Sequence, residues 1–244
     1  MNRYSIEIFY QPWSQEKTLG DRMRAAYQIL ELLGGIDSLL MPKEWLLATG
    51  DKDGSFRYPA FENAEAGPAL LAFHRERYSR KGESHPRSCT LWNGQLEKGH
   101  RASLSIGYNT PQPALETISI SLDDIDEWHD WKTAARFIQT CVALYSPKAL
   151  FIQPAKYEPV FYDKPSVGWM LYLPRALTPS EVPEAHRLEP VLDVDGKRLG
   201  TIVISITDGI LDVNNPEHIN LAHDIEIRLA DQDLLPRYPL LSTQ

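Results

Sequence analysis

The sequence predicts an α+β fold: two antiparallel-sheet-plus-helix halves packed as one compact unit. Three observations carry this. Strand-like runs such as "SCTLWNG", "ASLSIGY" and "ETISISL" follow one another, parted by Gly, Asn and Pro, as in an antiparallel meander. Stretches of helical period stand between such groups. The chain has 244 residues, 43% hydrophobic and 24% charged, enough for one large domain or two small ones with a sizeable core. We read a single domain over 1–244, with possible halves 1–122 and 123–244.

"RYSIEIFY" alternates and is rich in β-formers, so it reads as a strand. From Gly20 to Leu33, Met23, Ala26, Tyr27, Leu30 and Leu33 form one helical stripe, with Gly34 as a left-handed stop. "EWLLATG" is a short strand and Asp53-Gly54 a turn. Pro68 suits the first position of a helix to Arg80. The meander follows, then a helix from about Asp124 to Tyr145, and strands at "ALFIQP" and "VGWMLYLP". Pro174 to Pro190 is the most linker-like stretch. Asp195-Gly196 marks a hairpin between two β-rich runs. Asn215 caps and Pro216 opens a last helix to about Asp233.

The formal net charge of −8 argues against nucleic acid as a partner, since affinity for phosphate comes from Lys and Arg displacing counterions. It suits a basic partner, or simply solubility. Cys89 and Cys141 lie in apolar settings and read as small core residues of a reduced protein. Glu7 and Gln11 interrupt the opening segment, so it is a strand and not a signal peptide. No apolar run is long enough to span a membrane, which makes the cytoplasm the default.

Charge and aromatics crowd most closely in "SLDDIDEWHDW", Ser121 to Trp131, with five carboxylates and two tryptophans. At about 100° per residue, Trp128, Trp131, Ala135, Ile138 and Val142 make one buried stripe. Asp124 and Glu127 have capping-box spacing, and acids in a first turn offset the helix dipole. The opposite face carries Asp126, Asp130, Thr133 and Phe137. Either a neighbouring element covers that face, or Asp126, Asp130 and Phe137, with Asp123 and Glu127 beside them, form an acid-ringed aromatic contact for a partner. A catalytic pair needs one desolvated carboxylate, and these are expected to face water.

No nucleophile elbow, phosphate loop, dinucleotide fingerprint or metalloprotease pattern is present, and no cofactor is implied. His218 and His223, five residues apart, project about 140° from each other on a helix and cannot chelate one ion. His218 shares a stripe with Leu221, Ala222, Ile225 and Leu229 and reads as a hydrogen-bonded core histidine, as His74 does. Asp208 to Asp233 holds seven acidic residues against one arginine, a solvated acidic surface and a second contact for a cationic partner. An enzyme would have to assemble its site from distant residues such as His100, Asp51 and Glu116, which no pattern connects.

Leu91-Trp92-Asn93-Gly94 with "ASLSIGYN", Gly168-Trp169 within "VGWMLYLP", and the Asn215-Pro216-x-His218 helix start resemble the immunity protein 52 family of bacterial polymorphic-toxin and type VI secretion systems. The likeness extends loosely from "YSIEIFY" to the final helix. It implies an α+β protein, without catalysis, that binds and neutralises a cognate toxin bearing a restriction-endonuclease-like nuclease domain. The shared residues mark fold: Asn93-Gly94 is a turn with positive φ, and Trp92 and Trp169 are large core residues. The alternatives are an enzyme of unknown reaction, or an adaptor of a secretion apparatus. Oligomeric state is not encoded in any of these signals.

Overall fold

In a computed structural model, residues 3–12, 17–51, 53–80, 87–108, 115–123 and 126–238 are described. Strand β1 (Arg3–Tyr10) alternates half-buried and buried positions along its whole length, as its sequence predicts. It pairs antiparallel with two partners remote in sequence, β7 (Glu116–Asp123) and β8 (Ala149–Pro154). Outward from β7 lie β6 (Ala102–Gly107), β5 (Ser88–Trp92) and β2 (Leu46–Leu47). Outward from β8 lie β9 (Met170–Leu173), β11 (Arg198–Ile204) and β10 (Arg187–Leu192). One nine-stranded antiparallel sheet thus runs through both halves of the sequence. A two-residue hairpin, β3 (Phe61–Glu62) and β4 (Glu65–Ala66), stands apart from it.

Register explains the core. Ile204, Met170, Ile152, Ile6, Ile120, Leu104, Leu91 and Leu47 are successive cross-strand partners, forming one buried aliphatic row over eight strands. Helices α1 (Leu19–Gly34), α2 (Pro68–Arg80) and α3 (Trp131–Tyr145) contribute to the same hydrophobic core. The other face changes character along the sheet. Thr90, Ser105, Ser119 and Glu7 make a half-buried polar row, and the next partners are Phe151, Leu171 and Val203. Those three are buried with Ile225 and Leu229 of α4 (Pro216–Asp231), so the second half of the sheet is covered on both sides. Near-continuous burial along β8 and β9 is the signature of a doubly covered strand.

The sheet edges are blunted. β2 is two residues long, while β10 carries an exposed Pro190 and a register shift at Val191/Leu192, features that discourage pairing with another chain.

Local capping places most helix starts. Thr18 caps α1 reciprocally with Asp21, at 3.2 Å and 3.0 Å. Asn215 accepts from the Glu217 amide at 3.0 Å, with Pro216 in the first turn of α4. Gly34 departs from expectation: it lies inside α1, and the cap is Gly35 with right-handed φ of −73°. Its missing side chain serves packing instead, because a Cβ there would stand 2.8 Å from the Met41 Cα. Of the two signature tryptophans, Trp169 is fully buried, and Trp92 is half-buried with its indole donating to the Ser55 carbonyl at 2.9 Å. Cys89 and Cys141 are free and buried, as expected of core residues.

Gly168 is constrained twice. Its φ is +49°, and a Cβ would lie 2.5 Å from the Gln153 Cβ and 3.2 Å from the Ile152 carbonyl oxygen. Its own carbonyl accepts from Ser205 Oγ at 2.8 Å, which seats Trp169 against the sheet. We predict that Gly168→Ala costs about 2–4 kcal/mol, from left-handed strain plus overpacking. Chemical denaturation measures it, and a change within about 0.5 kcal/mol, the scale of unconstrained sites, would disprove the close approach.

Candidate interaction surface

The acid cluster is taken apart by the way α3 begins. Asp126–His129 forms a 3-10 turn, and Asp130 is the N-cap of a helix that starts at Trp131, not at about Asp124. Asp130 accepts from the Lys132 amide at 3.1 Å and from Thr133 Oγ1 at 3.3 Å. A carboxylate with this local bonding terminates helical geometry on its N-terminal side. Residues before Asp130 therefore do not belong to the helix of α3, and the single long helix that the predicted Asp126–Asp130–Phe137 face needs is broken at Asp130. Asp124 of the predicted capping box, and the side chains of Asp126 and Glu127, lie outside the described residues.

Phe137 is buried, at 3% exposure, with its ring edge-on to Trp128 at 5.3 Å. It lies on a second, covered face of α3, where it lines a cleft with Leu32, Gly35 and Ile36 at the end of α1. Trp128 is buried as predicted, whereas Trp131 is only partly so, with the Arg187 guanidinium 4.7 Å from its ring centre. Asp123 is also buried, at 4% exposure. It accepts from the Gly99 amide at 2.8 Å and from Arg101 Nε at 3.0 Å, closing the end of the β6–β7 pair. The sequence-predicted contact residues thus do not form one exposed patch.

The acidic stretch around α4 does present a surface. Glu217, Asn220, Asp224, Ile227 and Asp231 recur at helical spacing and are all exposed. Ile227 is 41% exposed in the middle of this stripe. Next to α4 runs the loop from Ala155 to Val167, whose Tyr162 is 79% exposed between the exposed Glu158 and Asp163. One buried carboxylate fixes this loop. Glu226 Oε1 accepts from the Tyr157 hydroxyl at 2.9 Å and the Val167 amide at 3.0 Å, and Oε2 from the Val160 amide at 2.7 Å. Burial pushes the Glu226 carboxyl above the usual carboxylate range, against the opposing pull of those donors. His223 adds a bond to the Glu158 carbonyl at 2.9 Å. Helix and loop make one surface rich in carboxylates, with Ile227 and Tyr162 exposed on it and the cations Lys156 and Arg228 also at its surface.

Glu226 was counted among solvated acids, yet its spacing from Ala222 and Leu229 places it on the buried stripe of α4. His218, expected in the core, is half-buried and accepts from the Asp212 amide at 3.1 Å, steadying the approach to the helix. The two histidines have separate partners, and no three metal-ligating side chains gather among the described residues. His74 is a core histidine as predicted, its Nε2 3.1 Å from both the Ser88 carbonyl and the Tyr108 hydroxyl. Glu116 is buried against Arg22 at 2.5 Å, and Asp51 is engaged with Thr49 and the Gly54 amide. No helix among the described residues is long and apolar enough to cross a membrane.

Two predictions test these assignments. Burial alone would raise the Asp123 carboxyl, but Arg101 and the Gly99 and Arg101 amides outweigh it and hold it below the usual range. Its stabilisation is therefore complete above the ordinary carboxylate pKa and is lost as pH falls through its depressed value. Asp123→Asn should be destabilised at neutral pH, with the gap to the parent closing in acid; a gap independent of pH contradicts the assignment. Glu226→Gln exchanges one acceptor for an amide that must oppose a donor, and should cost about 1–3 kcal/mol. Hydrogen exchange should then rise first in the loop before Val167, and a uniform change across the chain would count against its anchoring role.

No family model matches the chain, and no curated protein matches it in sequence. The resemblance to immunity protein 52 thus rests on the residues that suggested it. Among solved structures, the fold is similar to that of the Pseudomonas aeruginosa T6SS protein PA0821, with a TM-score of 0.50 and 10% identity, covering 92% of this chain and 73% of that one. At that identity the likeness is one of fold: an α+β architecture shared with a protein of a type VI secretion system.

Proposed function

We propose that this chain is an immunity protein: a non-enzymatic, stoichiometric inhibitor that acts in the cytoplasm on a secreted toxin with a cationic nuclease domain. The observation that carries the reading is the acidic surface of α4 and its adjoining loop, with Ile227 and Tyr162 exposed among Glu217, Asp224, Asp231, Glu158 and Asp163. A nuclease groove is rich in Lys and Arg because it must hold phosphate, so an acidic inhibitor gains encounter rate and orientation from charge. Charge alone binds weakly in salt, and the two hydrophobic side chains supply what can be desolvated at the centre of a contact. The fold likeness to a type VI secretion protein and the resemblance to immunity protein 52 support the same reading.

The test pairs this chain with the product of the neighbouring gene, assayed for nuclease activity. The parent should abolish nuclease activity near a one-to-one ratio. Tyr162→Ala with Ile227→Ala should weaken binding by about 2–4 kcal/mol while leaving the melting temperature nearly unchanged, since both side chains face water. Asp224→Asn with Asp231→Asn should slow association and flatten its salt dependence. A fourfold variant that still inhibits stoichiometrically would move the interface elsewhere, and toxin binding without inhibition would make the protein an adaptor.

A further inference from the structure

At the end of the sheet where β8 begins and β9 ends, the segment after α4 crosses over and leaves a cleft of about 590 Å³. Its walls are Lys148 before β8, Lys164 in the loop before β9, Pro174 and Arg175 after β9, and Asp233 to Arg237 after α4. Four of these ten lining residues are Lys or Arg, in a chain with 25 such residues among 244. Asp233 is the single carboxylate that lines it. Positive charge is therefore concentrated here against a net charge of −8. Leu173, Pro174, Leu234, Leu235 and Pro236 supply an uncharged floor.

Three of these cations, Lys164, Arg175 and Arg237, are positioned and keep donors to spare. Lys164 Nζ donates to the Leu235 carbonyl at 2.7 Å, which uses one of an ammonium's three donors. Arg175 gives the Asp233 carbonyl a long bond of 3.4 Å, leaving most of a guanidinium's five N–H groups for another acceptor. Arg237 lies 3.3 Å from Asp163, and both are more than half exposed, so a stronger anion can take that place. Asp233 has φ of +54°, a left-handed residue that turns the chain out of α4 and over the cleft.

We propose that this cleft binds a small phosphorylated molecule, its phosphates held by Arg175, Arg237 and Lys164 and its uncharged body resting on the Leu/Pro floor. Guanidinium groups match phosphate oxygens in paired hydrogen bonds, and the cleft has the size of a small-ligand site. The ligand site adjoins the acidic surface, since Arg237 lies against Asp163, but its probes are small anions and not the protein partner assigned to that surface.

Isothermal titration of the full chain at low ionic strength tests it, with inorganic pyrophosphate in one arm and ATP in the other. The expected result is saturable one-to-one binding, tighter for ATP because of the floor. Arg175→Ala with Arg237→Ala should weaken both by at least about tenfold, the scale of lost charge-assisted bonds. Arg24→Ala, on α1 and paired with Glu65, should bind like the parent. Equal affinity in the two arms overturns the role of the floor. No saturation of the parent by either probe overturns the site, and would leave the cations only a structural role toward the segment after α4. That outcome does not require any variant to fold.

Discussion

β1 occupies the position that no other strand could fill. Both of its edges are bonded, to β7 through a register from Arg3↔Asp123 to Tyr10↔Glu116 and to β8 from Tyr4↔Pro154 to Phe9↔Ala149. Without it, β7 and β8 would each end a separate four-stranded sheet with a long unpaired edge, the arrangement most prone to aberrant pairing. Ile6 and Ile8 sit at the middle of the aliphatic rows that α1 and α3 cover. Assembly of this sheet is non-local: the first strand must wait for partners more than a hundred residues away, which favours slow folding.

The same strand marks a change of environment. On its far face Glu7 has Ser119 on one side and Phe151 on the other. Burial raises the Glu7 carboxyl despite hydroxyl bonds from Ser119 and Ser5, the mark of a group at the edge of an apolar region. Beyond that edge β8, β9 and β11 carry buried hydrophobic residues that pack with α4. Its buried stripe is Ala222, Ile225, Glu226 and Leu229. The acidic character of its other face is thus not a packing requirement.

Much of the fold was legible because its signals are local. Alternation in "RYSIEIFY", the hairpin at Asp195-Gly196 and the Asn215-Pro216 start are each settled within a few residues. The start of α3 was not, because several acids in a row all have capping chemistry, and it is Asp130 that accepts from Lys132 and Thr133. Trp128 and Trp131 happen to continue a helical spacing across a 3-10 turn, which mimics one long helix. The pairing of β1 with β8 has no local signal at all. Of the site, the burial of Phe137 is the first of the two alternatives that the sequence left open, while that of Asp123, which depends on Gly99 and Arg101, has no signal in periodicity. The acidic run around α4 could be read, but Tyr162 could not, since its exposure depends on where Glu226 pins the loop.

That pinning also bears on how a partner could be held. A contact built on a loose loop loses affinity to the ordering of its side chains and backbone. Here Tyr162 stands on a loop tied at Tyr157, Val160 and Val167 to a single carboxylate on the helix that carries Ile227. Both hydrophobic side chains therefore keep a fixed relation before any partner arrives. Arg228 is bonded to Glu184 at 2.6 Å, so the one arginine within the acidic run is already matched by a nearby carboxylate. The surface that carries Tyr162 and Ile227 is therefore fixed in shape by a carboxylate, Glu226, that is itself buried beneath it.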